Sequence, residues 1–588
     1  KKMAELNDLK VRRDILDPHF DGYKLSLDKL PLYNCRVENG VATTSLTDEQ
    51  YSYHHAKIFG VHNHLIADPW KSDDCYYIDN SWNVRSLIAT DTSVSVGQDL
   101  FTIPDFSIQR QVKGHYSANL LFVAIDLVVL ADGAGKVYLL YTGDRKKMAS
   151  KWKVLSSQSV FEEDKPCMLV DAVEHVSNEN HRVETLLVHV KEATIVEKEK
   201  YHSEFLTVLE WLTFVSGSRE TWSLERTRQL VSRRPYHYAS LDRMVPSLVI
   251  AGEADMEFVY DSVKPVMNEE EKDTNQNDLP EYTWNQTTED IRVQFTVPKD
   301  VKKANIYLSL TSELIEFGIK NSTVLLKGHL HGKVDPEGST WTISSQRVEL
   351  YLSKQDQSMW PEIVKGDTRG ELVMDPDQVT KIHDRLANLT SEQWNPNPLE
   401  EDQKAPYNAQ QLEECDMYPD DGFVLERLDG DLHKITHKTN LGSHQWLFNA
   451  IIDHKKMPCF CLRHDVDGLL WQPANDPKEG ELPWQHESTF NAFGYVQASK
   501  QQKKFTSCPP DCSYTVISDC VRHSYIYWQP LPISSLLRNR KTGKEVPTVA
   551  KQQVVSLDSA EDIVGIQAFN EKLFVLTESV VYMIKMNE

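Results

Sequence analysis

No stretch of this chain is apolar for long enough to cross a bilayer. The greasiest run, Leu120 to Ala131, falls short of the ~20 residues a spanning helix needs and carries Asp126. The start, Lys1-Lys-Met-Ala-Glu-Leu6, has no apolar core of signal-peptide length. Cysteine is scarce and odd in number, 9 in 588 residues without framework spacing, and so reads as reduced thiol. Positive charge is in deficit: 64 Lys and Arg against 87 Asp and Glu leave a formal net charge of -23. That excludes broad nucleic-acid binding, because a phosphate backbone needs a basic face. The local cluster Arg226, Arg228, Arg233 and Arg234 reads as solvated surface. These deficits predict a cytoplasmic protein with the nucleus open to it and no membrane insertion.

Catalytic motifs are lacking too. Gly133-Ala-Gly-Lys136 has neither the four-residue gap nor the following hydroxyl of a phosphate loop, and a hairpin turn explains it. His486-Glu487 lacks the second His of a zincin, and no Gly-x-Ser-x-Gly elbow is present. Arg463-His464-Asp465-Val-Asp467-Gly468 misses most ligands of a calcium loop and reads as a tight turn. The remaining temptations are His454, Cys459, Cys461 and His464, then Cys508, Cys512, Cys520 and His523, and the looser His54, His55, His62 and His64. Zinc wants paired ligands on turns that close a tetrahedron, and no two pairs answer each other here. Cys459 and Cys461 share one strand face and are expected in a core. The expectation is therefore no enzyme, no metal and no cofactor.

What is present is β-structure. In the block from Tyr282 to Trp360, Val293, Phe295 and Val297 alternate with polar neighbours, as do Ile306, Leu308 and Leu310, then Val348, Leu350 and Leu352. A period of two buries one face of each strand, and several such strands in about eighty residues predict an antiparallel sandwich. Its marks are Tyr282-Thr-Trp284 at the first strand, Ser339-Thr-Trp341 in the middle, and Trp360 after Leu352-Ser-Lys354. With these marks the block resembles the CS domain, the p23-like sandwich shared by NudC proteins and small co-chaperones of heat-shock protein 90. The resemblance implies a binding module without catalytic apparatus. Trp284, Trp341 and Trp360 are expected to fill the core, since each ring buries on the order of 200 Å². Glu313, Glu316, Lys320, Lys327 and His329 are the candidate interaction surface on the solvent face.

Polar tethers bracket the sandwich. Lys264 to Asp278 is acidic with little to bury. After the sandwich, Val379, Ile382, Leu386 and Leu389 have helical spacing, before Trp394-Asn-Pro-Asn-Pro398 breaks regular structure. Both flanks repeat a strand–turn–strand scheme, as in Leu127–Tyr141, Phe423–Thr436, Cys459–Trp471 and Ile563–Ile584. Blades of ~40–60 residues would make about seven from the two flanks together. The C-terminal flank alone is too short to close a ring, and an open ring leaves bare sheet edges. The expected fold is thus mainly β: residues 1–262 and 411–588 as two halves of one β-propeller-like domain, split by the sandwich. The expected limits are 263–279 for the acidic linker, 280–367 for the CS domain and 368–410 for the helix and proline-rich linker. Separate β domains are the alternative.

The resemblance to the NudC family extends along the chain through Arg13-Asp-Ile-Leu-Asp-Pro18, Asn395-Pro-Asn-Pro398, Met457-Pro-Cys-Phe-Cys-Leu-Arg-His-Asp465 and Tyr495-Val-Gln-Ala-Ser-Lys500. It implies a co-chaperone or adaptor acting on protein clients, propeller-bearing ones among them, with the heat-shock protein 90 system as a further partner. No sustained heptads occur, so the coiled-coil dimerisation of the smaller NudC proteins does not carry over. The competing class is a scaffold subunit without chaperone activity.

Overall fold

The computed structural model describes residues 5–6, 8–60, 62–71, 73–104, 114–145, 150–160, 165–177, 180–266, 282–297, 301–320, 324–344, 347–355, 358–367, 369–372, 423–442, 444–478, 480–500, 502–538, 543 and 545–586. The helical spacing at 379–389 and most of both tethers lie outside them. The chain divides into two compact units, Lys1–Val266 with Glu413–Glu588, and Met267–Leu412.

Among the described residues, seven antiparallel meanders and one two-stranded hairpin build the first unit, with Glu5–Leu6 and Lys24–Leu25 added in parallel at two sheet edges. Blade 1 is Ile66–Ala67, Cys75–Ile78, Asn83–Ala89 and Val94–Thr102. Blade 2 is Asn119–Ala124, Leu127–Ala131, Lys136–Tyr141 and Lys153–Ser159, so the greasiest run supplies two short strands. Blade 3 is Met168–Ser177, Asn180–Glu192, Phe205–Ser216 and Ser223–Ser232, edged by Glu257–Asp261. Blade 5 is Gln445–Ala450, Cys459–His464, Asp467–Pro473 and Trp484–Phe490. Blade 6 is Lys503–Ser507, Tyr514–Asp519, His523–Trp528 and Lys551–Ser556.

The other two blades join the flanks. Blade 4 takes Tyr236–Leu241 and Ser247–Gly252 from before the sandwich, and Val424–Asp429 and Lys434–Asn440 from after it. The seam is a six-residue antiparallel register from Ser247↔Asp429 to Gly252↔Val424. Blade 7 takes Ile563–Ala568, Lys572–Thr577 and Val580–Lys585 from the C-terminal flank and Leu32–Arg36 from the N-terminal one. Ring closure therefore rests on Leu32↔Ile584 through Arg36↔Val580.

Polar contacts reinforce the blade 4 seam. Arg427 and Asp242, both buried, form an ion pair across it. At the turn after Val424–Asp429, a Cβ on Gly430 would lie 2.4 Å from the Trp211 ring and 2.8 Å from the Pro246 carbonyl oxygen. Only glycine fits there. The Trp211 indole donates to Glu184 at 2.7 Å, and the Arg228 guanidinium lies 4.0 Å over the same ring. Arg226 binds Asp261 at 2.6 Å. The solvated reading of the arginine cluster is thus corrected: Arg226 and Arg228 are buried and paired, and only Arg233 and Arg234 are exposed. Period-two strands with long internal side chains hide such pairs from a charge-run argument.

Burial holds the imidazoles of His54, His62 and His486 down at about 4. Between that value and the ordinary 6.5 the unfolded chain binds more protons than the folded one, so acid favours unfolding there. The ring's melting temperature is expected to fall as pH drops from about 6.5 to about 4, followed by differential scanning calorimetry. A flat profile over that window would contradict the neutral, buried assignment.

The second unit is a sandwich. One sheet holds Ile306–Leu310, Leu314–Ile319 and Val324–His329. The other runs, in spatial order, Val334–Ser344, Arg347–Lys354, Asp290–Thr296, Tyr282–Gln286 and Gly370–Leu372. Phe295, Phe317, Leu326, Val348 and Leu350 fill the space between. Gly370–Leu372 pairs in parallel with Tyr282–Trp284, so the sandwich reaches past the limit of 367 set from the sequence. A three-residue strand has too little alternation to be read.

Candidate interaction surfaces of the sandwich and the ring

The solvent face of the three-stranded sheet is set by its pleat. Ile315 and Phe317 point inward, which turns Glu316 outward between them. Glu316 pairs directly with Lys327 across the strands, and their charged ends meet at 3.1 Å. The Tyr307 hydroxyl donates to the same carboxylate at 3.2 Å. His329 lies two residues on from Lys327 and therefore on the same face. Glu313 sits before the middle strand and pairs with Lys333 at 3.0 Å. Lys320 sits past its other end and donates to the Ala304 carbonyl at 3.0 Å.

Of the five sequence-predicted residues, the structure brings Glu316, Lys327 and His329 onto one face, while Glu313 and Lys320 mark opposite ends of one strand. A recess of about 550 Å³ beside His329 is lined by Glu313, His331, Lys333, Gln355 and Lys365. Sequence reasoning missed His331, Lys333 and Lys365. The Lys365 amide donates to the His329 carbonyl at 2.9 Å, a non-local contact with no sequence signal.

In the ring, the first strand of every blade borders one cavity of about 1600 Å³. Each blade is an up-and-down meander, so first residues lie toward one mouth and first-to-second connections toward the other. His62, just before blade 1, is 9% exposed, packs edge to face on His64 at 4.5 Å, and its Nε2 has no hydrogen-bond partner. Trp70, in the blade 1 connection, meets the His454 ring from the blade 5 connection at 5.3 Å.

The CS domain family model matches residues 280–354. NudC domain-containing protein 1 of Mus musculus is 38% identical over 592 residues, covering 98% of this chain and 98% of the relative. The chain belongs to the NudC domain-containing protein 1 family. The Xenopus tropicalis protein of that name is 38% identical over 588 residues, again covering 98% of both chains. A solved WD40 domain of Neurospora crassa Pan2 aligns with 96% of this chain and 98% of its own at 6% identity and a TM-score of 0.30.

The three tryptophans of this family member differ in placement. Trp284 and Trp360 are 4% and 1% exposed and belong to the core. Trp360 is also latched by its backbone: its amide donates to the Gln286 side chain at 2.8 Å, and its carbonyl accepts from it at 2.7 Å. Trp341 is half-buried, packed against the core's margin 6.3 Å from Phe317, with the Lys303 ammonium 5.8 Å from its ring. The core expectation for Trp341 is corrected, because its strand is the outer edge of its sheet and is covered on one side alone.

Cys459, Cys461 and Cys508 are buried among Phe448, Phe490 and Ile517, with Cys512 half-buried beside them. The Cys459 thiol donates to the Gln472 side chain at 3.2 Å, and burial pushes its pKa up. Among the described residues, no three His, Cys, Asp or Glu side chains are grouped as metal ligands.

Proposed function

We propose that this NudC-family protein is a non-enzymatic adaptor and co-chaperone that binds protein clients through its CS sandwich and its propeller. The observation that carries the reading is the pairing of a complete core with an unused face. The sandwich is internally filled, yet its three-stranded sheet presents Tyr307, Glu316, Lys327 and His329 outward, half-buried or exposed among the described residues. Two binding folds in one chain raise the effective concentration of the second contact, to around millimolar for short flexible linkers, so individually weak contacts sum. Propeller-bearing clients and the heat-shock protein 90 system are the partners that the family suggests, in the cytoplasm with access to the nucleus.

The test is affinity capture from cytosol with the full chain and with a Glu316→Lys, Lys327→Ala, His329→Glu variant. The variant is expected to lose a defined subset of partners while keeping its melting temperature. An unchanged partner set would leave a scaffold role for the ring and remove the sandwich from client binding.

A further inference from the structure

The ring's cavity carries a charge opposite to that of the chain. Asp68, Asp73, Asp171 and Glu174 all border it, and each is neutralised: by Arg145 at 2.6 Å, Lys572 at 3.1 Å, Arg243 at 3.0 Å and Arg219 at 2.8 Å. Glu571 is the one bordering carboxylate left over among the described residues. By contrast, Lys57, Lys455, Lys456 and Lys504 border the cavity and form no ion pair among the described residues. Four cations thus stand against one anion inside a chain of net charge -23. Low-dielectric walls focus such an imbalance, so the cavity draws anions that the outer surface repels.

The four cations sit at both mouths. Lys504 lies on the first strand of blade 6 at its start, and Lys57 on the helix Tyr53–Gly60. Lys455 and Lys456 lie in the connection after Gln445–Ala450, at the opposite mouth. His62, before the first strand of blade 1 and so toward the Lys504 mouth, offers an imidazole nitrogen with no hydrogen-bond partner among the described residues. A buried polar atom without a partner has an energetic cost, and a ligand hydrogen bond would relieve it. The Trp70 and His454 rings meet beside the second lysine pair.

We propose that the cavity receives an extended Asp/Glu-rich segment of a partner protein, with carboxylates on Lys504 and Lys57 at one mouth and on Lys455 and Lys456 at the other. About 1600 Å³ exceeds the ~300–1,000 Å³ of small-molecule pockets and suits several residues of extended chain. A nucleic acid is disfavoured because the lysines line an interior rather than a face, and the exterior is acidic. This inference rests on the protein-binding reading and specifies the chemistry of one partner.

The test uses a fluorescein-labelled peptide of about ten alternating Asp and Glu residues, titrated with the full chain and read by anisotropy. Saturable binding is expected, absent for the Asn/Gln peptide. Lys455→Glu with Lys456→Glu should weaken it about tenfold or more, as should Lys504→Glu or a rise in salt from ~0.05 to ~0.5 M. The milder Lys455→Gln with Lys456→Gln and Lys504→Gln serve if the reversals fail to fold. His62→Phe should weaken binding without removing the salt dependence. Glu316→Lys on the sandwich should leave peptide affinity unchanged. No saturable binding, or affinity indifferent to the lysines, would overturn the inference while the sandwich capture experiment stands separately. Tighter, lysine-dependent binding of a single-stranded DNA of equal length would replace the peptide with a nucleic acid.

Discussion

Residues 1–266 and 413–588, expressed separately, are each expected to lack a cooperative unfolding transition, and to regain a single one when produced together. Blade 4 receives two strands from each side of the sandwich, and blade 7 receives its outer strand from residues 32–36. Each fragment alone would therefore carry a half-blade with an open edge and an unclosed ring. It would also expose side chains that are fully buried in the whole: Val249 and Ala251 on one fragment, Leu425 and Phe460 on the other. Circular dichroism melts and size-exclusion chromatography of the three samples provide the measurement. Two stable, monomeric, mutually indifferent fragments would show that the flanks are separate domains.

The second large effect separates two tryptophans that look equivalent in the sequence. Trp360→Ala should cost the sandwich about 3–5 kcal/mol, the usual range for deleting a fully buried large aromatic. Trp341→Ala should cost roughly 1–2 kcal/mol, because its ring packs on the core from one side only. Urea denaturation of a fragment spanning the sandwich, residues 278–372, gives both values. Equal losses would place Trp341 in the core after all, and a near-zero loss at Trp360 would contradict the Gln286 latch and the packing around it.

Much of this architecture could be read before the structure, for a physical reason. Period-two alternation in Val348–Leu352 and hairpin turns such as Ala131–Gly135 are local signals, and a meander is made of local contacts. What could not be read is long-range. Nothing in Leu32–Arg36 announces that its partner is Val580–Lys585, and nothing in Gly370–Leu372 announces a parallel partner at Tyr282. Arg228 looks like surface charge until Glu184 and Trp211 are folded around it. The candidate face of the sandwich is legible in part. Glu316 and Lys327 follow from alternation, whereas Lys365 reaches His329 only through a tertiary contact. The cavity's lysines come from a helix, a strand and a loop of different blades, and no linear pattern links them.

The closure of blade 7 also sets a clock on synthesis. Leu32–Arg36 leaves the ribosome long before its partner strand Val580–Lys585. About 540 residues separate them, which at ~5–20 residues per second is roughly half a minute to two minutes. Throughout that interval Leu32–Arg36 has no edge to join, and blade 4 stands half-built while the sandwich is made. A nascent chain with this connectivity carries an unpaired strand edge for that whole interval, and its ring closes only when Val580–Lys585 arrives.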